Sequence, residues 1–244
     1  MGELIAVLSG KGGTGKTSIC AGVATALAMC AEKVLCIDCD IGLRNLDIAL
    51  GLDDAGELSF LEVCQGYYSL DAATVHPQYP NLHFLTAPMH CDAGSVDGAA
   101  FDAMLQQARL RFDYVLLDAP AGIDAGFALA ARSADRILLV TGPDPASIRD
   151  AGRAADVLEL MGKRNIRLVI NRINKKIFQT MGLTVDDIMD QAGLPLLGIV
   201  PEDPDVTLAA TFGRALLGYS RKGASAACLR IAQRIMGMNI PVNL

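Results

Sequence analysis

The sequence predicts an α/β fold, a doubly wound and mainly parallel sheet flanked by helices. Short apolar runs recur at least six times and alternate with helix-like segments, the order expected of strand–helix–strand units. The runs are apolar at successive residues rather than alternate ones, as in strands buried on both faces. The first, Leu4 to Leu8, leads into Gly10-Lys11-Gly12-Gly13-Thr14-Gly15-Lys16-Thr17, and a helix-like segment from Ser18 to Ala31 follows. Strand, glycine loop and helix in that order form the context of a phosphate-binding loop.

The spacing from Gly10 to Gly15-Lys16-Thr17 fits the P-loop pattern. Glycine at 10, 12, 13 and 15 lets successive backbone amides turn toward phosphate oxygens. The positive dipole end of the following helix adds to that attraction. Gly10 to Thr17, with Thr14 inside it and Ser18 just beyond, is therefore the candidate nucleotide site. Lys16 is expected to reach the β- and γ-phosphates, and the Thr17 hydroxyl to bind Mg²⁺.

The second run, Val34 to Asp38, ends in two carboxylates, Asp38 and Asp40. The C-terminal end of a parallel strand lies at the ligand-binding edge of such a sheet, so Asp40 is expected to face the Mg²⁺-phosphate region. Gly56 to Gly66 reads as a short helix and turn, and Leu82 to Ala87 as a strand ended by Pro88. His76, His83 and His90 lack metal-ligand spacing and a nucleophile partner, so they read as surface or packing residues. A helix from about Phe101 to Arg111 precedes the run Tyr114 to Asp118. An apolar strand ending in an aspartate is a Walker B pattern, which makes Asp118 a second Mg²⁺ carboxylate. The following Pro120-Ala121-Gly122 would place the Gly122 amide where loss of the γ-phosphate changes the loop. Strands at Arg136 to Thr141, Leu168 to Arg172 and Leu197 to Val200 complete the sheet, with a helix over Asp144 to Met161 among them.

From Ser225 to Met238 the apolar residues fall on one helical face, with Arg230, Gln233 and Arg234 opposite. An apolar stripe of this kind packs on a sheet more often than it lies on a membrane. The 244 residues are read as one domain, since no change of composition divides them. Hydrophobic residues make up 52% and charged residues 20%, which suits a buried sheet under helices. A net charge of −6 argues against a chain that coats nucleic acid through clustered Lys and Arg. Seven scattered cysteines and an apolar N-terminal strand with no signal peptide before it fit a reducing cytoplasm. Cys36 and Cys39 lie inside an apolar run, so their C-x-x-C spacing is not read as a redox or metal motif.

The loop's other lysine, Lys11, resembles the signature lysine of the ParA/MinD family of P-loop ATPases, which have the SIMIBI type of this fold. Asp40-Ile41-Gly42-Leu43-Arg44-Asn45-Leu46-Asp47 resembles switch I of the MinD branch of that family. The resemblance implies an ATP-dependent homodimer in which Lys11 reaches the partner's phosphates, ATP or ADP with Mg²⁺ as ligands, and slow, partner-stimulated hydrolysis. It implies that Lys11, Lys16, Asp40 and Asp38 serve the reaction, with Asp40 positioning water and Asp38 supporting the Mg²⁺ and water shell. Thr17, Asp40 and Asp118 would be the metal residues. Asn171 and Arg172 would then meet adenine, and Pro201 and Asp203 belong to a loop that packs against the base. Guanine is disfavoured because no Asn-Lys-x-Asp motif is present.

Partners implied are a MinC-like inhibitor and a MinE-like stimulator, with Arg44, Asn45, Arg149, Asp150 and Arg153 near the dimer or partner face. The alternative within the family is a ParA-like or flagellar-number regulator, a nucleotide-gated binding module on cargo, membrane or nucleoid. A cluster carrier related to the nitrogenase iron protein would need cysteines that Asp118 to Phe127 lacks. The expected location is cytoplasmic, with peripheral contact at the inner face of the cell membrane left open. Asn239 to Leu244 offer no counterpart of the C-terminal targeting helix of the MinD branch.

Overall fold

The computed structural model describes residues 1–41, 43–52, 58–89 and 96–242. Gly42, Gly56 and His90, on which expectations above rest, lie outside the described residues.

Among the described residues one sheet contains β1 (Glu3–Leu8), β2 (Val34–Asp38), β3 (Thr74–Val75), β4 (Leu82–Leu85), β5 (Tyr114–Asp118), β6 (Arg136–Thr141), β7 (Ile166–Ile173) and β8 (Leu196–Pro201). Their spatial order is β3-β4-β2-β5-β1-β6-β7-β8. Every adjacent pair is parallel except β3 with β4. The antiparallel edge strand has two residues, too few for any sequence pattern, and the sequence reading omits it.

The helices are α1 (Lys16–Met29), α2 (Leu46–Leu50), α3 (Phe60–Cys64), α4 (Gly98–Ala108), α5 (Ala125–Ser133), α6 (Pro145–Leu160), α7 (Lys175–Thr180), α8 (Val185–Ala192), α9 (Asp205–Thr211), α10 (Leu216–Tyr219) and α11 (Gly223–Ile235). Alternation along β1 shows how the sheet makes two cores. Leu4, Ala6 and Leu8 enter the layer with Phe60, Phe101, Phe127 and Ile148 of α3, α4, α5 and α6, whereas Ile5 and Val7 face α1 and α11. Both layers are apolar, which is why the strands read as continuous apolar runs.

α1 is buried almost all round, from Ile19 through Ala28, because it lies between the sheet and α11. The apolar stripe of α11, with Cys228, Ile231, Ala232 and Ile235, packs against α1 and β8. Its opposite face is less free than the sequence suggests. The Arg234 guanidinium donates to the carbonyls of Leu197, at 2.9 Å, and of Ile240, at 2.9 Å, joining β8 to the segment after α11.

The sheet order reverses at β1, with β5, β2 and β4 to one side and β6, β7 and β8 to the other. Ligand crevices in such sheets form outside the C-terminal ends of the strands at this reversal. The glycine loop emerges there.

Candidate functional site

β1 delivers the chain to the loop and α1 begins at Lys16, two residues before the expected start. Gly15 is the N-cap, in left-handed conformation at φ 86, and no side chain caps the first turn of α1. The leading amides therefore remain available to an anion at the helix start. A Cβ on Gly15 would also sit 2.3 Å from Asn171 Nδ2, so both φ and space require glycine. Gly10 has a different reason. A Cβ there would meet the Asp150 carbonyl oxygen at 2.2 Å, so this glycine admits α6 rather than a phosphate.

Lys16 turns inward. Its Nζ donates to Asp118 Oδ1 at 2.8 Å, with the two residues 6% and 1% exposed. Burial raises the Asp118 pKa, against Lys16 and the Thr17 hydroxyl, which favour the charged carboxylate. Asp118 Oδ2 and Thr14 Oγ1 are buried without a hydrogen-bond partner. Two orphaned oxygens beside an uncapped helix start form a donor and acceptor set suited to a metal-bound phosphate. Mg²⁺ takes one or two carboxylates and completes its octahedron with phosphate and water oxygens. Thr17, Asp40 and Asp118 can supply that share, so the residues present fit the group.

Asp38, beside Asp118 in the β2–β5 register, is fully buried. Its Oδ1 accepts from the Asp40 amide at 2.8 Å and its Oδ2 from the Leu46 amide at 3.1 Å. Asp38 thus fastens both ends of the loop that follows β2. Burial and the neighbouring Asp118 charge push its pKa to about 7, while the two amide bonds pull the other way. Asp40 is half-buried, and burial raises its pKa against the pull of Lys16. Arg44, in the same loop, holds a left-handed backbone at φ 44.

Lys11 meets a residue that sequence reasoning left unassigned. Its Nζ donates to Asp144 Oδ1 at 3.2 Å within the same chain. Asp144 also caps α6, accepting from the Ser147 amide at 3.0 Å and the Ser147 hydroxyl at 2.5 Å. Burial raises its pKa, but the Ser147 bonds and Lys11 outweigh that and hold it at about 2. Asp-x-x-Ser before a helix is a local capping signal, whereas the partnership with Lys11 spans 133 residues and leaves none. The Gly122 amide, expected to sense a phosphate, donates to the Ser9 carbonyl at 3.1 Å.

On the other side of the loop lies a cavity of about 600 Å³, lined by Gly15, Ser18, Asn171, Arg172, Pro201, Asp203 and Pro204 among others. Asn171, 6% exposed, donates from Nδ2 to the Thr14 carbonyl at 2.8 Å and so joins the end of β7 to the loop. Asp203 is expected to meet the base, but its carboxylate is committed elsewhere. Oδ1 accepts from the Asp205 amide at 3.0 Å and Oδ2 from the Ala224 amide at 2.8 Å, capping α9 and α11 together. Cys36 and Cys39 are buried free thiols, in keeping with a structural reading. Of the histidines, His76 and His83 lie away from the loop in the β3–β4 region, and each packs on an aromatic ring.

Comparison with known proteins agrees with this geometry. Residues 5–217 match the model of the CobQ/CobB/MinD/ParA nucleotide binding domain. The chain is 36% identical over 250 residues to a septum site-determining protein MinD of Bacillus subtilis, covering all of this chain and 92% of that protein. It is similar in structure to a MinC:MinD cell division complex of Aquifex aeolicus, with 36% identity, a TM-score of 0.92, and coverage of 99% and 98% of the two chains. It is also similar to a MinD of Pyrococcus horikoshii complexed with Mg-ADP, at 26% identity and a TM-score of 0.84, covering 98% of this chain and all of that one.

Proposed function

The chain belongs to the CobQ/CobB/MinD/ParA nucleotide-binding family, and from that premise we propose a MinD-type ATPase that acts as a nucleotide switch in division-site placement. Relatives and similar structures that carry the MinD name favour this reading over the ParA-like or flagellar alternative. The observation that carries it is the buried Lys16–Asp118 pair at the mouth of the glycine loop.

In this reading residues 1–244 act as one ATPase domain that takes ATP or ADP, and the loop amides from Gly10 to Ser18 hold its phosphates. Mg²⁺, when bound, neutralises the charge on the β- and γ-oxygens. Lys16 leaves Asp118 to reach those oxygens, which frees both Asp118 oxygens toward the metal side. Asp40 orients the attacking water, and Asp38 holds Asp40 in place through the loop amides it accepts from. Thr17 completes the metal side. Asn171 and the loop from Pro201 to Asp203 form the adenine end, with Arg172 beside them. Lys11 exchanges Asp144 for the phosphates of a second copy, so ATP drives a homodimer and hydrolysis resets it.

Partners follow from the family. The similar Aquifex aeolicus structure is a complex of MinC with MinD, and a MinC-like inhibitor and a MinE-like stimulator are proposed for this chain. Arg149, Asp150 and Arg153 lie on α6, the helix that Asp144 caps, and are proposed for the dimer or partner face. Among the described residues no helix is long and apolar enough to cross a membrane. A cytoplasmic protein, with any membrane contact peripheral, is the proposed location.

Light scattering tests the switch. In an Asp40→Ala background, which blocks hydrolysis, the mass should double with ATP and stay single with ADP, and Lys11→Ala should abolish the doubling. An unchanged mass despite tight ATP binding would sink the dimer reading.

A further inference from the structure

β8 is the last strand of the sheet, so β7 pairs it on one side alone. The free edge of a strand invites a further partner, and folded chains cover or blunt it. Part of this edge is covered, since the Leu197 carbonyl accepts from Arg234 Nη1 at 2.9 Å. Its far end is blunted by Pro201, which has no amide to offer. There Ile199 and Pro201 border a second cavity, of about 210 Å³.

The walls of this cavity are of two kinds. Ile173, which ends β7, joins Ile199 and Pro201 in an apolar floor. On α11, Gly223, Ala226 and Arg230 share one helical face at i, i+3 and i+7. The first two are small and leave the gap, whereas Arg230 and Lys175, the first residue of α7, bring cations to it. Arg230 is half-buried, and among the described residues its guanidinium makes no ion pair or hydrogen bond. Asp203 stands beside Gly223, but its carboxylate is spent on the Asp205 and Ala224 amides. A like charge is closer at hand. Burial, and then the charge of Arg230, lower the Arg234 pKa, and like charges at i, i+4 of a helix repel. A half-buried cation over an apolar floor, with a second cation near it, is completed by an anion that carries an apolar group.

We propose that this cavity binds a branched aliphatic group bearing a carboxylate, either the C-terminal residue of an extended peptide or a free acid of the same build. The carboxylate meets Arg230, whose planar fork can hold both oxygens, and Lys175 adds charge. The aliphatic group enters among Ile173, Ile199 and Ala226. Sites that enclose a whole drug-sized ligand measure about 300–1,000 Å³, so this smaller one takes a single residue. The free side of β8 can pair the residues before it, as in strand addition, which favours a chain terminus over a free acid. The cavity shares Pro201 with the one beside the glycine loop but none of the loop residues, and the inference does not depend on the nucleotide reading.

Chemical-shift titration of the isotope-labelled full chain tests this. The probes are N-acetyl-leucine, its amide, and an acetylated hexapeptide that ends in leucine with a free or an amidated C-terminus. N-acetyl-leucine should move the amides of Ile199, Ala226 and Arg230 and leave those of Gly12 to Lys16 in place. Amidation should weaken binding roughly tenfold, the loss of one charge-assisted pair. In Arg230→Gln acid and amide should bind alike, and Ala226→Met, which fills the cavity, should weaken both. Thermal unfolding checks that each variant is folded, and if Ala226→Met is not, Arg230→Gln decides alone. A peptide acid that binds more tightly than N-acetyl-leucine assigns the site to a chain terminus, and equal affinities assign it to a free acid. Absence of shifts at these residues, equal binding of acid and amide by the wild type, or an acid preference that survives Arg230→Gln would each overturn the inference.

Discussion

His76 is 3% exposed, and both of its ring nitrogens are engaged. The Gln78 amide donates to Nδ1 at 3.1 Å, which places the proton on Nε2, and that nitrogen donates to the Leu50 carbonyl at 2.8 Å. Burial lowers its pKa from 6.5, and the Leu50 bond only partly offsets this. A base whose folded pKa is depressed binds fewer protons folded than unfolded. Its stabilisation is complete above about pH 6.5 and is lost as the pH falls through the folded value. Asp38, raised to about 7, acts in the opposite direction, and His83, also lowered by burial, acts in the same one. The contribution of His76 is therefore read from a difference. Between pH 7.5 and 5.5, His76→Gln should lose less melting temperature than the wild type does, and equal slopes would sink the assignment. The tether matters because Leu50 ends the helix that follows the Asp40 loop. That Lys16, Asp40 and Asp118 meet at one edge of the sheet could be expected from sequence, since loop spacing and apolar strands that end in carboxylates are local patterns. The second roles of Asp144 and Asp203 could not, because Lys11 and the Ala224 amide come from 133 and 21 residues away.

At the level of elements, α1 and α11 approach closely at Gly22. A Cβ there would lie 2.6 Å from Cys228 Sγ, a short side chain in a fully buried position with little room to yield. Gly22→Ala sets two effects against each other. Alanine gains about 1 kcal/mol of helix propensity, whereas overpacking a filled core costs about 1–3 kcal/mol. The clash should win, lowering the melting temperature. Gly22→Ala with Cys228→Ala returns the lost volume, so the pair should be more stable than the sum of the two single changes. Additive losses would show that the contact does not limit the packing. The same elements mark where sequence patterns stop. The strands were legible as continuous apolar runs and α11 by its apolar stripe, because burial on two faces or on one leaves a pattern local to the segment. Two-residue β3 and five-residue α2 carry too few positions for any period. The expected polar face of α11 failed at Arg234, since a guanidinium reads as solvated until its carbonyl partners are known.

The whole molecule places a charged pair where two apolar layers meet the sheet edge. Removing one member of such a pair costs about 3–5 kcal/mol, because the other charge is left buried, whereas replacing both with apolar groups is often neutral or stabilising. Asp118→Leu alone strands the Lys16 ammonium. For a chain of this size each kcal/mol shifts melting by about 2–4 °C, so this variant should melt roughly 6–20 °C lower. Lys16→Met with Asp118→Leu removes both charges and should recover most of that loss. Mg-ADP separates stability from function. A ligand that binds only the folded state adds about 2.7 kcal/mol at a hundred times its Kd, so the wild type should melt higher with Mg-ADP and the double variant should not. Recovery without a ligand response would mean that the fold tolerates the pair and the nucleotide requires it. A double variant no more stable than Asp118→Leu alone would show instead that the Lys16–Asp118 bond holds the edge of the sheet together, and the functional assignment would lose its main support.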